Sequence, residues 1–352
     1  MQLAEQQKQV LYQLVSGIRE KGIKQQTLGG YAGTGKTTLI NYLTQFFPSY
    51  GVAAYTGKAA NVLRKKGSHG ASTIHSRIYK PYFDHHGTMY FDLTDDPGCT
   101  GFIIDEASMV SEEIYGDLCS FNLPMLFVGD HGQLEPIGSD FNLMRKPDYA
   151  LEEIHRNAGD IPRFAEHIRK GYAPRGFKCQ DGSVTFTSRA GVDDFLAVDQ
   201  VICAYNKTRV KVNRQVREAL NHKGLINVGE RVMCLRNNRP LGLFNGMQGT
   251  VVRLHEGKRG QKYMDFHFDG ALYEKIRYDT KQFGQESYDF QHGRDKPNPF
   301  DYAYCITAHK SQGDEWGEVL VIEQKCKKWD HKRWAYTASS RPRIGLKWKL
   351  AA

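Results

Sequence analysis

The sequence predicts an α/β protein built on two mainly parallel sheets, and three observations carry that expectation. A glycine-rich run, Gly29-Gly30-Tyr31-Ala32-Gly33-Thr34-Gly35-Lys36-Thr37-Thr38, lies between a short β-type segment and a helix-type segment. Strand-type and helix-type segments then alternate, which implies crossover connections and parallel pairing. The alternation begins again in the second half, and 352 residues at about 150 per domain leave room for two domains. We place these at 1–150 and 151–352.

Leu3, Val10, Leu11, Leu14, Val15 and Ile18 recur at helical spacing and predict an amphipathic helix over 3–21. Residues 24–29 lead into the glycine run, and a helix follows from Lys36 to about Phe47. Residues 51–55 read as a buried strand, after which Thr56-Gly57-Lys58-Ala59-Ala60 opens another helix. Residues 80–92 read as a hairpin turning at His86-Gly87, a small insert in the first sheet. Residues 101–105 and 123–129 are two further buried strands, each running into an Asp. In the second half, 199–204, 302–306 and 317–323 read as strands and 206–221 as a helix. Between them lie four short β-rich runs, Arg231–Leu235, Gly249–Leu254, Tyr263–Phe268 and Leu272–Tyr278. Separated by glycine turns, they predict a small β-barrel inserted at about 225–300.

Composition narrows the function. Hydrophobic residues at 40% and charged residues at 25% suit a folded globular chain and exclude a disordered or collagen-like one. A mean hydropathy of −0.56 and the lack of a long apolar run argue against a membrane span. The seven cysteines make no CxxC pair and no metal-ligand spacing, and the N-terminal residues do not form a secretory leader. Both points suggest a reducing cytoplasm. The net charge of +9 points to polyanionic partners. Residues 323–350 hold nine Lys or Arg against Glu323 and Asp330. Trp316, Trp329, Trp334 and Trp348 stand in or near this stretch, and aromatics among cations suit base stacking as well as a strand at the core edge.

Three motifs carry chemistry. Gly30-x4-Gly35-Lys36-Thr37 is a complete phosphate-binding loop. Gly30, Gly33 and Gly35 let backbone N–H groups converge on phosphates, together with Thr34 and Thr38. Lys36 reaches the β- and γ-phosphates of ATP, and the Thr37 hydroxyl takes a Mg²⁺ position. Asp105-Glu106 closes an apolar strand: Asp105 holds Mg²⁺ through water, and Glu106 orients and deprotonates the attacking water. Gly129-Asp130-x2-Gln133 follows the next strand, where the Gln133 amide can touch the γ-phosphate or position the water.

In this order the motifs resemble superfamily 1 DNA helicases of the 5′-to-3′ group, the RecD-like enzymes, over about 3–343. The compact size most resembles the phage members. The resemblance implies two RecA-like P-loop motor domains with parallel sheets, a β-hairpin insert in the first and an SH3-like β-barrel insert in the second. It implies further roles. In Leu3–Lys8, Gln7 would read adenine. In Leu151–Arg156, Arg156 would touch the γ-phosphate. Ile306–Gly313 would bring Gln312 and Gly313 to the nucleotide, and Tyr336–Arg341 would supply an arginine finger, Arg341. The blocks Ala54–Ala60 and Ala71–His75 would contact DNA from the first motor domain, Tyr205–Arg209 (with Asn213 and Arg217) would open the second motor sheet, and single residues of that block and of Ile306–Gly313 would join the DNA contacts. Their residues are Thr56, Lys58, Thr73, His75, Asn206, Arg209, Thr307, His309 and Ser311, with helix capping as the competing role for the Ser, Thr and Asn. Tyr82, Phe83 or Phe91 of the hairpin would be the wedge that splits duplex. The chain departs from the family pattern at Tyr55, Glu135, Ser340 and Pro342.

The expected activity is therefore ATP- and Mg²⁺-dependent 5′-to-3′ movement on single-stranded DNA with unwinding at duplex junctions. The alternatives are a translocase that remodels protein–DNA complexes without net unwinding, or an ATP-regulated DNA-binding or loader protein. The expected state is a monomer, with a single-strand-binding protein as a candidate partner and no membrane.

Overall fold

The computed structural model describes residues 3–83, 89–135, 141–153, 159–238, 241, 243, 245–268, 270–288, 296–325 and 330–351. The chain divides into two compact units, Met1–Arg169 and Lys170–Ala352.

The first unit begins with helix α1 (Glu5–Arg19) and strand β1 (Gln25–Gly30), followed by α2 (Lys36–Phe46), β2 (Gly51–Ala54), α3 (Gly57–Lys65), β3 (Ser72–Thr73) and α4 (Ile74–Ile78). The pair β4 (Tyr79–Phe83) and β5 (Met89–Leu93) comes next, then β6 (Phe102–Asp105), α5 (Glu112–Ser120), β7 (Met125–Gly129), β8 (Tyr149–Leu151) and α6 (Asp160–Arg169). Six strands form one sheet in the order β3-β2-β6-β7-β1-β8, and every pairing is parallel. The central strands β6 and β7 read as near-continuous apolar runs because both faces are covered. Successive residues still part to opposite sides: Ile103, Leu126 and Val128 pack with Leu14 of α1 and Leu39 and Leu43 of α2. Phe102, Ile104 and Phe127 pack instead with Ile74 of α4 and Ile114 and Leu118 of α5. β4 and β5 pair antiparallel, Tyr79 opposite Leu93 and Phe83 opposite Met89, and the expected turn at His86-Gly87 lies outside the described residues.

The second unit runs β9 (Val184–Thr187), α7 (Val192–Leu196), β10 (Gln200–Cys203), α8 (Asn206–Ala219), β11 (Arg231–Cys234), β12 (Gln248–Glu256), β13 (Lys262–Phe268), β14 (Ala271–Arg277), β15 (Phe300–Tyr302), β16 (Cys305–Thr307), β17 (Trp316–Ile322), α9 (His331–Ser339) and β18 (Pro342–Lys349). A parallel sheet, β16-β10-β17-β18-β9, and an antiparallel sheet, β14-β13-β12-β11-β15, share one core. Val201, Cys203 and Leu320 from the first pack with Val232, Met264, Phe266 and Phe300 from the second.

Two boundaries differ from the sequence expectation, and the structure gives the departure at Pro342 its place. The strand expected over 302–306 is two strands, because Phe300–Tyr302 pairs antiparallel with β11 while Cys305–Thr307 pairs parallel with β10. An unbroken apolar run does not record a change of partner. The first unit extends past residue 150 to include α6. Pro342 does not follow directly on a helix: α9 ends at Ser339 and Pro342 opens β18, the position in a strand that tolerates a missing N–H.

Candidate nucleotide site and nucleic-acid interface

Parallel pairing brings the C-terminal ends of the first sheet to one edge. Gly29 stands beside Gly129, Ile104 beside Phe127, and Ala54 beside both Asp105 and Thr73. The chain leaves β1, β7 and β6 there as the glycine run, Asp130–Gln133 and Asp105-Glu106. This is the edge at which open α/β sheets bind ligands.

The glycine run makes the turn its composition predicts. Gly33 and Gly35 take left-handed backbone, φ 81° and 84°, which a side chain would strain, and Gly35 caps α2. Lys36, Thr37 and Thr38 form the first turn of α2, whose N–H groups lack intrahelical acceptors and suit an anion. Lys36 Nζ donates to the carbonyls of Gly30 (2.7 Å) and Tyr31 (3.1 Å), and Thr34 Oγ1 donates to Tyr31 O at 2.8 Å. Gln7 is buried, and its amide caps the start of α1 with one end and holds the helix to this loop with the other. Oε1 accepts from Ala4 N–H at 3.0 Å, and Nε2 donates to Thr34 O at 3.0 Å. The residue expected to read adenine is thus a strut of the phosphate loop.

Asp105 ends β6, and its Oδ1 accepts from Glu106 N–H at 2.9 Å. Burial pushes the Asp105 carboxyl up from its ordinary value, opposed by that hydrogen bond and by the Lys36 and Lys66 charges. Glu106 is left-handed at φ 55°, ψ 39°, which costs a non-glycine residue about 1–3 kcal/mol and persists where surrounding structure imposes it. The Asp130 carboxylate shapes the neighbouring turn, with Oδ1 accepting from Gly132 N–H (2.9 Å) and Oδ2 from Gln133 Nε2 (3.2 Å). The Thr37 hydroxyl and Asp105 carboxylate are hard oxygen donors, the type Mg²⁺ takes.

The residues expected on DNA divide sharply. Thr56 caps α3, its Oγ1 accepting from Ala59 N–H at 3.1 Å, and Thr73 caps α4, accepting from Ser76 N–H at 3.1 Å. His75 is half-buried in an aromatic row, with ring centroids 6.3 Å from Tyr55 and 5.5 Å from Tyr79. The side chains of Lys58 and Phe83 lie outside the described residues, as does Arg156.

In the second unit several of the expected residues have partners within their own scaffold. Arg209 is 1% exposed, forms an ion pair with Asp301 and donates to Gln285 O, so here it holds the interior together. Asn213, one turn on, donates to Tyr302 O and Cys305 O and accepts from Cys305 N–H, clasping the chain between β15 and β16. Arg217 pairs with Glu230. Asn206 is the first residue of α8 and its Oδ1 accepts from Arg209 Nε at 3.2 Å. Ser311 is fully buried and donates to Ala308 O. Thr307 and His309 remain half-buried at the end of β16, with His309 held below its usual pKa by burial. Gln312 is buried and Gly313 is left-handed at φ 76°. Arg341 is 4% exposed: Nε donates to Thr337 O (2.9 Å), Nη1 to Asp314 O (3.2 Å) and Nη2 to Ser340 Oγ (2.8 Å). The expected finger here closes the C-terminal end of α9. Trp334 and Trp348 are fully buried and Lys347 pairs with Asp194 at 2.9 Å, so these two aromatics of the basic stretch belong to the core.

Sequence reasoning missed Tyr31, His131 and Arg169, which meet at the phosphate loop. It also missed the partnership of Tyr55 with His75 and Tyr79. The unusual aromatic at Tyr55 was the available signal for the second group; a contact across three chain segments leaves none for the first.

The family model described as an AAA domain matches residues 2–188. The ATP-dependent RecD2 DNA helicase of Deinococcus radiodurans is 26% identical over 97% of this chain, and the chain spans 48% of that protein's length. The ATP-dependent DNA helicase dda of Enterobacteria phage T4 is 28% identical over 73% of this chain and 68% of the phage protein. Among solved structures, Bacteroides Pif1 bound to ssDNA superposes with a TM-score of 0.64 at 19% identity, covering 99% of this chain and 92% of that one. That likeness extends the shared fold over both units.

Proposed function

The chain belongs to the AAA-domain family, and from that premise we propose that it is an ATP-hydrolysing DNA helicase that moves 5′ to 3′ on single strands and unwinds duplex. One observation carries the reading: the phosphate loop, Asp105-Glu106 and the Gln133 turn leave adjacent parallel strands at one sheet edge. Hydrolysis needs a phosphate cradle, a carboxylate to prepare water and a group that responds to the γ-phosphate, and these are what that edge offers. The two relatives from Deinococcus radiodurans and phage T4, both ATP-dependent DNA helicases, support the substrate and the work done.

In this reading Lys36 leaves the carbonyls of Gly30 and Tyr31 for the β- and γ-phosphates, and the α2 N-terminus takes their remaining charge. Thr37 and Asp105 would hold Mg²⁺, which supplies charge neutralisation at the phosphates when bound. Glu106 orients the attacking water, and its imposed backbone spares reorganisation during the reaction. Gln133 reports the γ-phosphate. Arg156 and Arg341 keep the γ-phosphate roles that the resemblance implies, and Arg341 would first have to release Thr337 O and Asp314 O. Thr56, Thr73, His75, Thr307 and His309 supply the DNA contacts. We read β4–β5 as the hairpin insert and the antiparallel sheet as the SH3-like barrel of a RecA-like pair.

The test is ATP-dependent strand displacement on two partial duplexes, one with a 5′ tail and one with a 3′ tail. Unwinding of the 5′-tailed duplex alone is expected. Unwinding from the 3′ tail alone overturns the polarity. ATP hydrolysis stimulated by single strands, with neither duplex opened, replaces the helicase by the remodelling translocase.

A further inference from the structure

Three side chains of the first unit converge on the phosphate loop, and no motif assigns them. The Tyr31 ring lies 4.2 Å from the His131 ring, centroid to centroid. The Arg169 guanidinium carbon lies 3.7 Å from the centroid of the same Tyr31 ring. Tyr31 is the first variable residue of the loop, His131 belongs to the turn that ends at Gln133, and Arg169 is the last residue of α6 and of the unit.

The backbone and side chain of Tyr31 do separate things. Its carbonyl accepts from Lys36 Nζ (3.1 Å), Thr34 Oγ1 (2.8 Å) and Thr34 N–H (3.3 Å), so it holds both the lysine and the turn. Its ring is held from outside the loop. The His131 ring comes this close because Gly29 has no side chain: a Cβ there would stand 2.6 Å from His131 Nδ1. Burial lowers the His131 pKa, so a neutral imidazole shares the site with the Arg169 cation.

We propose that Tyr31, His131 and Arg169 form a positioning cluster that fixes the phosphate loop against the Gln133 turn. It rests on the phosphate-loop reading. When Lys36 moves to a phosphate, the Tyr31 carbonyl loses one of its donors, and the ring contacts are what then keep this residue in place. The cluster also joins the two segments that must respond to one nucleotide, and it ends on the residue where the chain leaves the first unit.

Steady-state ATP hydrolysis by the full chain, with a saturating single-stranded oligonucleotide, separates the possibilities. The variants are Tyr31→Ala, Tyr31→Phe, Arg169→Ala and the double Tyr31→Ala/Arg169→Ala, with thermal unfolding as the check on folding and Lys36→Ala as the reference. Loss of a desolvated cation–π contact predicts that Tyr31→Ala and Arg169→Ala each lower kcat/KM for ATP about tenfold, mainly through KM. The double variant is expected to be no worse than the poorer single, because both remove one contact. Tyr31→Phe, which keeps the ring, restores the loss. An unchanged KM in Tyr31→Ala, additive losses in the double variant, or a Tyr31→Phe as impaired as Tyr31→Ala each overturns the cluster. Parent-like hydrolysis by Lys36→Ala would instead overturn the phosphate-loop reading beneath it.

Discussion

The two units end their parallel strands in motif residues, yet they spend those residues differently. In the first, Lys36, Thr37, Asp105 and Glu106 stay half-buried at the sheet edge, with mostly backbone partners nearby. In the second, Arg209, Asn213, Ser311 and Arg341 are buried, and each closes a gap in its own scaffold. The reason is architectural. The first unit's six-stranded sheet carries helices on both faces, and these motif residues follow the C-terminal ends of its strands, where the chain leaves the core. The second must join a parallel sheet to an antiparallel one through the short link between β15 and β16. The Tyr302 and Cys305 carbonyls at that link need donors, and Asn213 of α8 supplies both, while Arg209, four residues earlier on the same face, pairs with Asp301 of β15.

The contrast can be broken most directly at its two extremes. Lys36→Ala should lower ATP hydrolysis by about 10²–10³-fold or more, as for loss of a preorganised charged donor, while DNA binding at low salt survives. A phosphate-release assay and a filter-binding assay together check this. Arg209→Ala should act on stability instead, because it strands the Asp301 carboxylate in the core. Breaking a buried pair from one side costs about 3–5 kcal/mol, read as a lower denaturation midpoint of the full chain. A midpoint equal to the parent's would return Arg209 to the DNA-contact set.

Smaller effects sharpen the comparison. Thr56→Asp keeps a capping oxygen for α3 and should hold the melting temperature, whereas Thr56→Ala should cost about 1 kcal/mol. If Thr56 also faces a DNA phosphate, the aspartate will weaken single-strand binding in fluorescence anisotropy despite that intact cap. The smallest effect concerns Glu323 in the basic C-terminal stretch. Burial would raise its pKa, but hydrogen bonds from His331, Ala351 N–H and Trp348 outweigh burial and hold the carboxyl below its ordinary value. A carboxylate depressed in the folded state contributes stability above its unfolded pKa and loses it as pH falls through the folded pKa. Glu323→Gln should therefore narrow the stability gap from the parent as pH drops below about 4.5 in acid-denaturation curves.

Much of the first unit was legible because its chemistry is contiguous. The turn of Gly33-Thr34-Gly35-Lys36 depends on residues that touch their chain neighbours, and the apolar run Phe102-Ile103-Ile104 of β6 marks a strand buried on both faces. The capping roles of Thr56 and Thr73 were visible as alternatives for the same reason, since a cap spans three residues. The bond from Gln7 to the Thr34 carbonyl was not legible, because its partner is 27 residues away.

The sequence alone determined the α/β alternation, the phosphate loop, the carboxylate pair at the end of β6 and the family. These follow from short-range spacing and from backbone geometry that only certain residues adopt. The tertiary structure alone decided that Arg209 belongs to Asp301, that Arg341 closes a helix end, that residues 300–307 serve two sheets and that Tyr31 lies against His131 and Arg169. A charged or aromatic side chain looks the same in sequence whether it is to meet solvent, a ligand or a buried partner. Only the fold decides which of these is within reach, and burial makes an unpaired charge too costly to keep.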